Sequence, residues 1–267
     1  MLHHGDVAAE TRLAFAVDGV SKLFFGSGRP LWALREMALN VEEGSFTTVV
    51  GPSGCGKSTL LRIFGDLEKP SSGTVVRPRD EDGRPATAFV FQTSGVLPWL
   101  TVFENVLFGL SRWYRRTECA ERARDWIART ALSGFEGAYP YQLSGGMRQR
   151  VGIARAFATG SACLLMDEPL GALDAQTRLL MQEELLTLCE TERKTVVLVT
   201  HALEEALLLG DRVVLMTARP GRVRAEIEVP FGRPRHPDVQ HTKEFAELRG
   251  YLWDLLRREV EARPIAS

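Results

Sequence analysis

The run Gly51-Pro52-Ser53-Gly54-Cys55-Gly56-Lys57-Ser58-Thr59 carries the most definite chemistry in this sequence. Its spacing, a glycine, four residues and then Gly-Lys-Ser, is that of a phosphate-binding loop between a strand and a helix. The context agrees: the apolar run Phe46–Val50 (FTTVV) precedes it and the helical pattern KSTLLRIFG follows. Glycines let successive backbone N–H groups turn inward and form an anion nest. The following helix aims its positive end at the same anion. In that frame Lys57 would contact the β- and γ-phosphates of a nucleotide, and Ser58 would ligate Mg²⁺.

A second group is the acidic pair that ends Cys163-Leu164-Leu165-Met166-Asp167-Glu168. Ligands of open α/β sheets gather beyond the carboxyl ends of the strands. Asp167 would hold Mg²⁺ through water, and Glu168 would polarise the attacking water. A general base contributes roughly 10²–10⁴ in rate. Two carboxylates capping a strand in solvent would be the plainer explanation if the phosphate loop were absent.

A third group is Leu143-Ser144-Gly145-Gly146-Met147-Arg148-Gln149-Arg150, which opens a helix running through VGIARAFA. Ser144, Gly145 and Gly146 offer a hydroxyl and free N–H donors, a second anion site. Met147 stands where a capping box would have Glu or Gln, so Ser144 is not explained as half of that motif. One phosphate loop does not need two phosphate-binding helix ends in the same chain.

Short apolar runs must position these groups. Phe46–Val50, Thr87–Phe91, Cys163–Met166, Thr195–Val199 and Arg212–Met216 are apolar nearly throughout, as strands buried on both faces should be. Helical patterns separate several of them, which predicts an α/β fold with a mainly parallel sheet. Leu13–Val17 and Val223–Val229 alternate instead, and both read as strands outside the buried sheet. From about Leu100 to Gln142 no strand signal occurs, and ECAERARDWIART suggests a helical insert. Phe245, Leu248, Leu252 and Leu255 share one helix face near the end. The stretch Pro230–Pro237 reads as a linker by composition.

Composition narrows the class. The chain has 267 residues, 45% of them hydrophobic, and a formal net charge of −1. That permits a sizeable core, excludes wholesale disorder and argues against bulk electrostatic binding of nucleic acid. Cys55, Cys119, Cys163 and Cys189 are scattered without CxxC spacing and read as reduced thiols of a cytosolic protein. No apolar run approaches the roughly 20 residues needed to span a bilayer. Residues 1–11 lack the apolar stretch of a signal peptide and read as a flexible tail.

With the phosphate loop, the acidic pair and LSGGMRQR together, the sequence resembles the ATP-binding subunits of ABC transporters over nearly its whole length. The resemblance implies a P-loop NTPase core with an antiparallel β subdomain and an inserted helical subdomain at about 96–158. The ATPase domain would occupy 12–232, with a C-terminal linker and helix over 233–267. It also implies roles for further residues. Gln92 would reach Mg²⁺ and the attacking water, Asp174 would lie in a loop crossing a dimer interface, and His201 would contact the γ-phosphate. Phe24 in VSKLF would stack on adenine, with Phe25 competing for that role. The Ser144–Gly146 turn would act on ATP held by the facing copy of a head-to-tail dimer. A peripheral place on the cytoplasmic face of the inner membrane is implied, with two membrane-spanning permease subunits and, indirectly, a solute-binding protein. The expected docking surface lies near Leu97–Leu110, where Leu97, Trp99, Leu100 and Phe103 serve either docking or the insert's own core.

The segments LPWLTVFENVLFGL, PLGALDAQTR, YPYQLSGGMRQR and ARPGRV with RPR are similar, more narrowly, to nitrate/sulfonate/taurine importers. Leu170 and Asp66 depart from that group, which usually has Phe and Gly there. Two other functions compete: a soluble ABC-type ATPase acting on ribosomes or DNA, and a non-hydrolytic regulatory module. The first typically has two fused ATPase units or a coiled-coil insertion. Intact Lys57, Glu168 and His201 speak against the second.

Overall fold

A computed structural model describes residues 12–25, 29–79, 85–93, 95–112 and 114–261. The tail expected over 1–11 lies outside the described residues. A six-stranded sheet forms the centre, built from β3 (Phe46–Val50), β5 (Thr87–Val90), β6 (Cys163–Asp167), β7 (Thr195–Val199), β8 (Arg212–Met216) and β9 (Val223–Glu228). Its order is β5-β6-β7-β3-β8-β9, and every neighbouring pair except β8–β9 is parallel. The apolar runs are explained by burial on both faces. Leu164 and Met166 join one core and Cys163 and Leu165 another, alternating as a strand's side chains must.

The strand Val223–Glu228 corrects one expectation. It belongs to the main sheet, as the antiparallel edge beside β8. Edge strands with one covered face alternate just as strands of a separate sheet do, so periodicity could not separate the two cases. The other alternating segment does leave the main sheet. It extends to β1 (Leu13–Phe24) and pairs with β2 (Leu31–Glu42) and β4 (Ser72–Val76) in an antiparallel sheet ordered β2-β1-β4. Of its alternating residues, Phe15 and Val17 are buried and Leu13 is exposed. Neither β2 nor β4 was apparent from the sequence. Register shifts within β1–β2 break the alternation, and β4 is exposed along most of its length.

Helix α1 (Lys57–Phe64) lies between the two sheets. Its Leu60, Leu61, Ile63 and Phe64 share a core with Phe15 and Met37 of the small sheet and with Val49 and Leu165 of the large one. Phe15 stacks on Phe64 with ring centroids 4.8 Å apart. The helix stops at Gly65, and Asp66 follows with φ 57, a left-handed conformation that explains why glycine suits that position. Here Asp66 holds Lys69 at 2.7 Å and Arg77 at 3.3 Å instead.

On the other face, α2 (Val102–Phe108), α3 (Arg116–Arg129) and α4 (Gly145–Ala158) pack around Val106, Ile127, Val151 and Phe157. Helix α2 opens with a capping box: Thr101 accepts from the Glu104 amide, and Glu104 accepts from the Thr101 amide. Helix α5 (Ala175–Thr191) follows β6, and α6 (Leu203–Leu209) follows β7. The last helix, α7 (Lys243–Glu261), buries Phe245 and Leu252 against α6 and the β8–β9 edge, with Leu248 and Leu255 beside them. The segment before it is tied down. Arg233 pairs with Asp211 and Glu190, and the buried Arg235 donates to the carbonyls of Leu207, Leu208 and Gly210.

Candidate functional site

Strand β3 has β7 on one side and β8 on the other, although the chain reaches β7 only after visiting the far edge. Such a reversal of strand order opens a crevice at the carboxyl ends of the strands. The segments after β3, β5, β6, β7 and β8 all emerge on that edge. They carry Gly51–Thr59, Gln92, Glu168, His201 and the turn at 217–222 respectively.

A cleft of about 320 Å³ lies there. Ser53, Gly54, Gly56, Lys57, Ser58 and Thr59 line it from one side, with Glu168 and Phe24 among the remaining walls. Gly51, Pro52 and Cys55 are buried beneath the loop. Two of its glycines have a physical reason. Gly56 has φ 110, and a Cβ there would come within 2.7 Å of the Ala33 carbonyl oxygen. A Cβ on Gly51 would come within 3.0 Å of both Cys55 Sγ and the Met216 carbonyl oxygen. Gly56 also precedes α1 without any side-chain cap, so the first N–H groups of the helix are left for another acceptor.

Lys57 is buried, and its ammonium donates to the carbonyls of Gly51 at 2.8 Å and Pro52 at 3.2 Å. Ser58 donates to Asp167 Oδ1 at 2.9 Å, which joins the phosphate loop to the acidic pair. Burial pushes the Asp167 carboxyl upward, and the Ser58 hydrogen bond opposes that shift. A hydroxyl and a half-buried carboxylate side by side are the hard oxygen donors that Mg²⁺ prefers. The residues present therefore fit both a nucleotide phosphate and its divalent ion.

Glu168 sits at the meeting point. Its Oε2 accepts from Gln92 Nε2 at 3.0 Å and lies 3.3 Å from His201 Nδ1. Residues from two other strand ends thus converge on one Glu168 oxygen. Glu168 has φ 44, an uncommon value for a non-glycine residue, and its amide donates to the Val199 carbonyl at 2.8 Å. Gln92 and His201 are exposed and lie beside the cleft, outside its lining. Phe24 lines the cleft and is 37% exposed, whereas Phe25 is 79% exposed and is not in the lining.

The remaining predicted residues stand apart. Among the described residues, the cleft's lining contains none of Ser144, Gly145, Gly146 and Asp174. Ser144 caps α4 by accepting from the Met147 amide at 3.2 Å, and Gly145 is exposed. Asp174 caps α5, and hydrogen bonds from Thr177 hold its carboxyl below the usual range. The two turns are neighbours: a Cβ on Gly146 would come within 2.9 Å of Thr177 Cγ2.

Sequence reasoning missed several parts of this region. Leu31, Ala33 and Arg219 also line the cleft. Glu205 is buried one helical turn beyond His201, is pushed upward by burial and accepts from the Thr200 hydroxyl. Arg219 had a signal, the ARPGRV run, but that run pointed only to a group of relatives. Among the described residues no helix is long and apolar enough to cross a membrane.

Comparison with known proteins places this framework in a family. The profile of the ABC transporter family matches residues 34–171, from the small sheet to just past Glu168. An uncharacterised ABC transporter ATP-binding protein of Methanocaldococcus jannaschii is 45% identical over 252 residues, covering 93% of each chain. The aliphatic sulfonates import ATP-binding protein of Bacillus cereus is 40% identical over 239 residues, covering 89% of this chain and 93% of its own. Among solved structures, a dimeric ATP-binding cassette in a post-hydrolysis state with ADP and Pi superimposes with a TM-score of 0.70 at 35% identity. The match covers 82% of this chain and all of that one. With phosphate loop, acidic pair and signature turn all inside this shared framework, the chain belongs to the ABC transporter family, as an ATP-binding subunit similar to those of sulfonate importers.

Proposed function

We propose that this chain hydrolyses ATP in a Mg²⁺-dependent way and drives import of a nitrate-, sulfonate- or taurine-type solute. It would work as a head-to-tail dimer beneath two membrane-spanning subunits, on the cytoplasmic face of the inner membrane. A solute-binding protein would deliver the cargo on the far side. The ATPase unit would span 12–232, with the helical subdomain at about 96–158 and the C-terminal segment 233–267 appended to it. The observation that carries the reading is the convergence of Gln92 and His201 on Glu168 beside the Ser58–Asp167 pair.

In this reading the loop amides and the N-terminus of α1 bind the phosphates, and Lys57 turns from the Gly51 and Pro52 carbonyls to the β- and γ-phosphates. Ser58, Asp167 and Gln92 would hold Mg²⁺, which neutralises phosphate charge when bound. Glu168 accepts the proton of the attacking water. Gln92 orients that water and His201 steadies the γ-phosphate. Phe24 stacks on the adenine. The facing copy brings Ser144, Gly145 and Gly146 to the exposed side of Glu168 at Gln92 and His201, and its Asp174 loop crosses beside them.

The docking surface is supported by the segment before α2. Asn105 fixes it by accepting from the Leu97 amide and donating to the Leu97 and Leu100 carbonyls. Trp99 is 69% and Phe108 60% exposed on this surface, while Phe103 packs against the helical core and Leu97 and Leu100 are half-buried. Trp99 is therefore the strongest docking residue of the four. The similarity to an aliphatic sulfonates import protein supports the import direction and the sulfonate-type cargo.

The test is hydrolysis by wild type and Glu168→Gln. Turnover should fall about 10²–10⁴-fold in the variant while ATP affinity stays within a few-fold. Loss of binding in Glu168→Gln would refute the division between binding by the loop and water activation by Glu168.

A further inference from the structure

The turn after β8 lies directly on the phosphate loop. Gly221 donates to the Ala33 carbonyl at 2.9 Å and accepts from the Arg35 amide at 3.0 Å, which fastens the turn to β2. Thr217 braces it from inside, with its hydroxyl on the carbonyls of Ala218 and Pro220. Contact with the loop is close. A Cβ on Gly221 would come within 2.2 Å of the Cys55 carbonyl oxygen, so only glycine fits there. Next to that contact, Arg219 Nε donates to the Gly54 carbonyl at 2.9 Å. Gly54 has φ 72, and its carbonyl is fixed in this orientation by the bond.

Arg219 is exposed and lines the same cleft as Lys57 and Phe24. Among the described residues of that lining, Lys57 and Arg219 are the two cations and Glu168 is the acid. A nucleotide brings several negative charges into this space. Lys57, the other cation of the lining, is itself opposed by Glu168 there and by Asp167 nearby. A guanidinium with one N–H committed to the loop keeps its terminal nitrogens for an anionic oxygen.

We propose that Arg219 is a nucleotide-binding residue, held by Gly54 at the rim of the phosphate loop and supplying positive charge to the phosphates. This rests on the nucleotide-site reading above. The role differs from that of a strut, which would hold the loop without any preference for charge. ADP and AMP binding to the full chain separate the two, since neither is hydrolysed. Arg219→Gln should weaken ADP about tenfold and AMP less, while Arg219→Lys weakens ADP only about two- to threefold. Raising ionic strength from about 0.05 to 0.5 M should narrow the gap between wild type and Arg219→Gln, because exposed charges are screened. Thermal melting without nucleotide should be unchanged in both variants.

Unchanged ADP affinity in Arg219→Gln would overturn the proposal. So would equal losses in the Gln and Lys variants without salt dependence, the behaviour of a strut. Wild-type protein that binds ADP no better than Lys57→Ala would instead overturn the nucleotide-site reading, and this proposal with it.

Discussion

Glu168 holds a backbone conformation that L-residues avoid, with φ 44, at a cost of roughly 1–2 kcal/mol. The turn is kept by the hydrogen bond from its amide to the Val199 carbonyl and by Gly171, whose amide donates to the Glu168 carbonyl at 3.1 Å. That geometry brings one carboxylate oxygen to both Gln92 and His201. The carboxylate pair itself was legible in the sequence, because an acidic doublet ending an apolar run has few other uses beside a phosphate loop. The left-handed turn was not, since glutamate gives no local hint of it. The aromatic assignment also belongs to single residues. Phe24 lines the cleft with Lys22 Nζ 4.9 Å from its ring centroid, and Phe25 points away into solvent. Phe24→Ala should therefore weaken ATP by about 1–3 kcal/mol, the worth of a lost base stack, and Phe25→Ala should leave it nearly unchanged. Calorimetric titration of the two variants checks this, and equal affinities would remove Phe24 from the site.

Among the elements, the central strands were readable because burial on both faces leaves them apolar nearly throughout. Those with one solvent face were harder. The edge strand Val223–Glu228 alternates like a strand of another sheet, and β2 is interrupted by register shifts that its sequence does not announce. Composition misled most at Pro230–Pro237. Its prolines and glycine suggest a loose connection, yet Arg233 and Arg235 clamp it to the α6 end and to Asp211. Long-range ion pairs of that kind depend on where Asp211 and Glu190 fold to, which no local pattern encodes. Helix α7 follows from its apolar spacing, and its anchor is Phe245, which is buried and stacks on Phe231 at 5.8 Å. Phe245→Ala should cost about 3–5 kcal/mol of stability. Urea unfolding would measure the loss. ADP affinity should be retained, because Phe245 belongs to the core under α6 and not to the cleft wall.

At the scale of the molecule, the proposed two-chain site needs two anion-binding devices, the phosphate loop and the Ser144 turn, and the turn lies outside the cleft's lining. Gln92 and His201 are exposed beside the cleft, and Ser144 and Gly145 are exposed outside its lining. In the proposed dimer, two chains related by a two-fold axis satisfy both sites at once. The similar cassette with ADP and Pi is itself dimeric. Sequence motifs indicated both devices, and the resemblance assigned them to facing copies; how α4 and α5 pack was not legible.

The most direct test of the two-chain site mixes two inactive proteins, Lys57→Ala and Ser144→Arg. Each alone carries its defect in both sites of the dimer and should be dead. In a mixed dimer one site combines both defects, and the other has an intact loop facing an intact signature turn. With free exchange, roughly half the dimers are mixed, and about a quarter of all sites are whole by the two-fold symmetry of the interface. Single-turnover ATP hydrolysis should then recover to about that fraction of wild type. Hydrolysis that stays at background while native mass measurement confirms mixed dimers would contradict the account, because it would mean that each chain's signature turn serves its own phosphate loop.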